Sequence, residues 1–249
     1  RLYHFIWGDF ADWYLELAKV RLGKGDDLSC QAARSTLVTV LDGILRLLHP
    51  IMPFVTSELW SQLPTPQDTE KPETLAIADW PQARQDLVDE KAVIDLNQIQ
   101  ELVTQIRSLR KEYGVGVKTM VDLQLIGART RLSELLIVRP EILDKMAGVG
   151  KIQLNTVTKS SGANAVLKDG TEVIIPLEGV IDLAKESEKL NAEILRLNRL
   201  VEGVRKKLSN EKFLSAAPTE VVEREKLKED SFLQQLSALS KKRRNLSGI

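Results

Sequence analysis

The stretch Val180-Ile-Asp-Leu-Ala-Lys-Glu-Ser-Glu-Lys-Leu-Asn-Ala-Glu-Ile-Leu-Arg-Leu-Asn-Arg-Leu-Val-Glu-Gly-Val-Arg-Lys-Lys-Leu208 decides the architecture of the last third of this chain. Val180, Leu183, Ser187, Leu190, Ile194, Leu197, Val201, Val204 and Leu208 advance by alternating steps of three and four, and only Ser187 on that stripe is polar. This is the heptad period, in which one apolar seam faces a partner helix. At about 1.5 Å per residue such a helix is on the order of 40 Å long. Ser209-Asn210 interrupts it, and Pro218 opens a second helix with Val222, Phe232, Leu236, Leu239 and Leu246 on its seam. Glu225 and Arg243 fall at heptad positions of that second helix, so its seam is less pure. Two helices joined by a short linker predict an antiparallel coiled-coil hairpin over 180–249. With few contacts to a core, it is expected to swing as a lever.

Upstream of the hairpin the period is different. Tyr3, Trp7, Phe10, Tyr14 and Leu17 recur at helical spacing, with Ile6 and Trp13 beside them, and predict one broad buried face over Arg1–Lys19. The two glycines of Arg21-Leu-Gly-Lys-Gly-Asp-Asp27 predict a turn. A second helix follows over Leu28–Leu48, with Leu37, Val40, Leu41, Ile44, Leu45 and Leu48 inward, until Pro50 and Pro53 stop it. A short helix carries Glu58 and Trp60, residues 63–86 read as loop, and Glu90–Glu112 predicts a long helix with Leu96, Ile99, Val103 and Ile106 inward. Residues 1–112 thus read as an up-and-down helical bundle. Beyond it, Val117–Ile126, Lys151–Thr156, Ala165–Leu167 and Thr171–Pro176 predict strands, and Arg131–Leu136 and Arg139–Met146 predict short helices. Lys168-Asp-Gly170 carries a hairpin signal between the last two strands. The expected fold is mainly α: a bundle over 1–112, a small α+β unit over 113–179 and the coiled-coil hairpin over 180–249.

Composition narrows the function classes. Of 249 residues, 43% are hydrophobic and 28% charged, the balance of a helix-rich globular protein. No apolar run approaches the roughly 20 residues of a membrane span. The first apolar stretch is broken by Asp9 and Asp12 and lacks a basic leader, unlike a signal peptide. Cys30 is the sole cysteine, which excludes an internal disulfide and fits a reducing, cytoplasmic setting. The chain opens on Arg1 without a methionine and enters a helical pattern at once, as expected of a piece of something longer. The net charge of zero is unevenly spread: residues 1–179 hold 20 Lys+Arg against 24 Asp+Glu, and residues 180–249 hold 15 against 11. The hairpin therefore carries the positive excess, either as a solvated helix surface or as one that faces phosphates.

Catalytic patterns are missing. His4 and His49 have no second histidine or cysteine at metal-ligand spacing, and His49 stands at a helix end, where a capping role is expected. Cys30 has no adjacent base to lower its pKa. Asp9, Asp12 and Glu16 share one helix side, where acid/base work is conceivable but a solvated outer face is the ordinary reading. No glycine-rich phosphate loop and no Ser/His/Asp set is present. No catalytic centre, metal site or cofactor is expected in this chain. Basic clusters are better represented: Arg107, Arg110 and Lys111 end the long helix, where they also suit its dipole. Arg196, Arg199, Arg205, Lys206 and Lys207 approach the hairpin tip, and Arg243 and Arg244 lie near its base within Lys241–Arg244. Arginine's planar fork grips phosphate and stacks on bases, so these ten residues are the candidate RNA contacts. The Trp/Tyr stripe of the first helix is expected to be mostly core, with exposed stacking on bases as the lesser reading. Residue patterns alone leave a second reading open, in which the clean first seam pairs with another chain as an interaction module. An independent enzyme has only the carboxylate cluster behind it.

Several strings carry a resemblance. Phe5-Ile-Trp-Gly-Asp-Phe-Ala-Asp-Trp-Tyr-Leu-Glu-Leu-Ala-Lys19 and Leu45-Arg-Leu-Leu-His-Pro-Ile-Met-Pro-Phe-Val-Thr-Ser-Glu-Leu-Trp60 resemble the anticodon-binding helical domain of class I aminoacyl-tRNA synthetases. Ile106-Arg-Ser-Leu-Arg-Lys-Glu112 is similar to the helix that closes that domain in the valine, isoleucine and leucine enzymes. Lys207-Leu-Ser-Asn-Glu-Lys-Phe213 with Ala217-Pro-Thr-Glu-Val-Val222 resembles the coiled-coil turn of the valine–tRNA ligase family, which its isoleucine and leucine relatives lack. Ala11 stands where the family often has cysteine, and Tyr113–Lys118 lacks the proline often found there. The family's nucleotide-binding fold, its ATP-binding motifs and its editing domain are not in this sequence. The resemblance implies a parent enzyme that joins valine to its tRNA with ATP and Mg, and a portion here that binds tRNA. In that family the bundle meets the anticodon arm and the coiled coil reaches the outer corner of the tRNA. The implied partners are valine-specific tRNA and the rest of a synthetase chain, with no membrane and a monomeric state.

Overall fold

The computed structural model describes residues 1–24, 27–65, 71–156 and 162–247. They fall into two compact units, Arg1–Gln100 and Glu101–Ile249.

The first unit opens with one helical path in three segments: α1 (Leu2–His4), a π-helical segment (Phe5–Tyr14) and α2 (Leu15–Lys24). The expected stripe stays together, with the Tyr3 and Trp7 rings 6.4 Å apart and the Phe10 and Tyr14 rings 6.1 Å apart, but it is not buried along its whole length. Phe10 and Ala18 are buried, whereas Tyr3 is 69% and Trp7 57% exposed. Next come α3 (Asp27–Leu48) and α4 (Pro53–Gln62), the latter opened by Pro53, whose fixed φ suits a first helical position. His49 does not cap α3 in the manner expected; its Nδ1 lies 2.8 Å from the Thr56 hydroxyl and ties the two helices together. The core gathers Leu45, Trp60 and Leu75, with Leu41, Leu63 and Ala78 against it. Trp60 donates its indole N–H to Asp42 Oδ1 at 2.7 Å, and Arg46 Nε donates to Asp42 Oδ2 at 2.8 Å. Lys71 Nζ then sits 4.5 Å over the Trp60 ring and donates to the Trp60 and Leu63 carbonyls. These bonds give an otherwise irregular loop, with 3₁₀ turns at Leu75–Ile77 and Gln85–Leu87, a fixed course. The long helix α5 spans Glu90–Glu112, the bounds expected from its periodicity, and crosses into the second unit.

The second unit holds a four-stranded sheet ordered β2-β1-β4-β3. β1 (Val121–Ile126) runs parallel to β2 (Val149–Leu154), connected through α6 (Thr130–Val138) and α7 (Glu141–Ala147). β4 (Glu172–Pro176) is antiparallel both to β1 and to β3 (Gly162–Val166). The expected β3–β4 hairpin is present, with Gly170 at φ 90 in its turn. The first strand begins at Val121, not Val117, because residues 113–120 turn beside α5 and leave Val117 94% exposed. Leu123, Leu125, Leu132, Leu143, Ile175 and Leu177 fill the space between sheet and helices. Burying each stabilises the unit by about 1.5–3 kcal/mol relative to exposure.

The hairpin pairs α8 (Leu183–Leu208) with α10 (Thr219–Ser247) and inserts a short helix, α9 (Glu211–Ala216), at its tip. α8 starts three residues later than its heptads do. Asp182 caps it by accepting from the Lys185 N–H at 3.0 Å, while Val180 and Ile181 bond back to the Leu177 carbonyl. Leu190, Leu197, Val201 and Val204 are buried along the seam, so α10 covers the stripe that an outside partner would need. Arg243 departs from the heptad count: it is exposed and donates to Asn191 Oδ1 at 3.3 Å. The freely swinging lever is also corrected, because the hairpin's base is docked on β3. Lys242 Nζ donates to the Glu112 carbonyl at 2.7 Å, reaches Glu186 at 3.1 Å and lies 4.7 Å over the Tyr113 ring. Asn164 and Asn245 bond through their side-chain amides, and Leu246 is buried.

Candidate nucleic-acid interface

The candidate cations occupy three different settings. At the end of α5, Arg110 is 7% exposed and donates to four carbonyls: Gly148 at 3.1 Å, Gly116 at 2.7 Å, Val117 at 3.2 Å and Thr119 at 2.8 Å. Burial lowers its pKa from the ordinary value, yet an arginine stays charged. Arg110 acts as a strut that fixes the 113–120 turn against the α7–β2 junction. Gly148 makes this approach possible, since it sits at φ 63 and a Cβ there would lie 2.9 Å from Arg110 Nη1. Arg107 Nε donates to the Met146 carbonyl at 2.8 Å, on the same side of the unit. Lys111 is exposed and has no ion pair among the described residues.

Along the hairpin four of the candidate cations already have carboxylate partners. Arg196 makes a two-pronged bond to Glu193, one turn away, which raises the arginine's pKa and lowers the acid's. Arg205 crosses to Glu229 at 2.6 Å, Lys206 pairs with Glu202 at 3.2 Å and Lys207 lies 3.6 Å from Glu225. Glu225 is the buried member of this set. The Lys228 hydrogen bond at 2.6 Å, with the Lys207 charge behind it, holds its carboxyl below the usual range. Exposed pairs of this kind contribute about 0–1 kcal/mol each, so they exchange easily for another anion. Arg199 and Arg244 are exposed without an ion pair among the described residues.

Sequence reasoning missed two cations. Lys118 and Lys145 join Arg107, Arg110 and Lys111 around an open cleft of about 840 Å³, in which Asp144 is the one carboxylate. Lys145 lies far from α5 in sequence, and only the α7–β2 turn brings it near. The expected solvated character of Asp9 and Asp12 holds, and Glu16 pairs with Lys19 at 2.6 Å. Among the described residues no group of three His, Cys, Asp or Glu side chains is arranged to hold a metal ion. No helix of the described residues is long and apolar enough to cross a membrane.

Residues 1–125 match the family described as anticodon-binding domain of tRNA ligase, and residues 182–247 match the valyl tRNA synthetase tRNA binding arm. The valine–tRNA ligase of Bacillus subtilis (strain 168) is 33% identical over 99% of this chain and 28% of its own length. That of Listeria monocytogenes is 34% identical over 96% of this chain and 26% of its own length. That of Enterococcus faecalis is 34% identical over the whole chain and 28% of its own length. The chain thus spans little more than a quarter of the relatives it matches.

Proposed function

The chain belongs to the anticodon-binding domain family of tRNA ligases, and on that footing we propose that it is the tRNA-holding C-terminal portion of a valine–tRNA ligase. The parent joins valine to its tRNA with ATP and Mg, while this portion supplies grip and placement and has no catalytic centre, metal or cofactor of its own. Labour divides along the sequence: 1–112 meets the anticodon arm, 180–249 reaches the tRNA's outer corner, and 113–179 joins them. The observation that carries the reading is the coincidence of the arm match over 182–247 with one antiparallel hairpin, on which Arg199 and Arg244 have no ion pair among the described residues. The working partners are valine-specific tRNA and the rest of the synthetase chain, in the cytoplasm, with the chain monomeric. The buried seam of α8 supports the monomer, since a second chain would have to displace α10.

Titration of valine tRNA into the chain at low salt tests the proposal. Saturable binding, weakened by Arg199→Glu/Arg244→Glu, is expected; no binding overturns it. Light scattering that shows a concentration-independent monomer is the expected companion result, and a stable dimer would favour the coiled coil as a protein-pairing module.

A further inference from the structure

We infer that the cleft walled by the end of α5, the 113–120 turn and the α7–β2 junction binds the phosphodiester backbone of RNA, giving the α+β unit a direct role in tRNA contact. The inference rests on the RNA reading above. Three observations carry it. First, Arg107, Arg110, Lys111, Lys118 and Lys145 surround the cleft with a single carboxylate, Asp144, to oppose them. Like charges from three separate chain segments are costly to bring together, and an incoming anion relieves their repulsion.

Second, the charges are sorted by role. Arg110 is held against main-chain carbonyls, which fixes a positive floor. Lys111, Lys118 and Lys145 are exposed and have no ion pair among the described residues. The hairpin treats its cations differently, pairing Arg196, Arg205, Lys206 and Lys207 with its own acids. Third, the mouth is broad, and its walls carry Val117, 94% exposed, and Met120, 50% exposed. An open trough of about 840 Å³ with flexible cations and two apolar side chains suits a strand of alternating phosphate and sugar. Lysine is a mobile point charge that serves for phosphate without fixing base identity, so the site grips but does not read sequence.

The test compares the whole chain with Lys111→Ala/Lys118→Ala/Lys145→Ala in valine tRNA titrations between 50 and 200 mM salt. Each phosphate contact contributes about 0.7–0.9 to the slope of log affinity against log salt. The triple variant is therefore expected to lose about two from that slope and to bind roughly tenfold more weakly at low salt. A control, Lys91→Ala/Lys151→Ala/Lys168→Ala, removes the same charge from other exposed positions and is expected to keep the slope within about half a unit. Both variants are expected to unfold at the wild-type midpoint, since the lysines are exposed. An unchanged slope in the cleft variant, or an equal loss in the control, overturns the inference while leaving the tRNA reading intact. Failure of the unaltered chain to bind tRNA would remove both.

Discussion

The cleft beside α5 and the hairpin tip both gather cations, yet they hold them by opposite means. In the cleft, Arg110 is bonded to neutral carbonyls, and Lys111, Lys118 and Lys145 are left without ion pairs among the described residues. Near the tip, Arg205, Lys206 and Lys207 are each closed by an acid of the same hairpin. A carbonyl orients a guanidinium without cancelling its charge, whereas a carboxylate cancels it. The difference teaches that counting basic residues does not locate a phosphate site; their partners decide whether the charge is available.

Removing the strut should break the cleft side of the comparison most severely. Arg110→Met leaves the Gly116, Val117, Thr119 and Gly148 carbonyls without their donor and is expected to cost about 3–5 kcal/mol, read by urea denaturation. Gly148→Ala acts on the same contact from the other side. A left-handed alanine costs about 1–2 kcal/mol before the approach to Arg110 is counted, so a loss of roughly 2 kcal/mol is expected in the same assay. Lys242→Met probes the hairpin's base: loss of its bonds to Glu112 and Glu186 should cost about 1–2 kcal/mol. Faster amide exchange in 240–247, with the tip unchanged, would locate that effect.

The tip responds more weakly and to pH. The Glu225 carboxyl has a folded pKa below its ordinary value, so its contribution is present above the ordinary carboxylate range and is lost as pH falls through the lowered folded value. Hairpin stability followed from pH 7 downward should therefore decline only below about pH 4.3, and Glu225→Gln should reduce that decline. The smallest effect belongs to Arg205→Ala, whose exposed bond to Glu229 is worth less than about 1 kcal/mol in denaturation.

Elements with strong periodicity were legible in the sequence, and contacts between distant segments were not. The α5 bounds and the α8 seam follow from local spacing, where each buried leucine or valine recurs at a helical step. Spacing marks Tyr3 and Trp7 as one helix side but does not say what covers that side, so they were expected inside and lie outside. Arg243 leaves its heptad place for an exposed bond to Asn191, because docking on β3 overrides the heptad count at the hairpin's base. Arg107, Arg110 and Lys111 were visible as a cluster, but the burial of Arg110 depends on a glycine 38 positions away. Lys118 and Lys145 carry no local signal at all, since only the turn and the β-strand crossover bring them to α5.

The central claim, that this chain holds tRNA through its phosphates, is tested most directly by the affinity of the unaltered chain for valine tRNA across a salt series. Counterion release predicts a straight log–log line with a slope of about −3 or steeper, from the cleft lysines together with Arg199 and Arg244. A flat line, or no saturable binding at 50 mM salt, would contradict it.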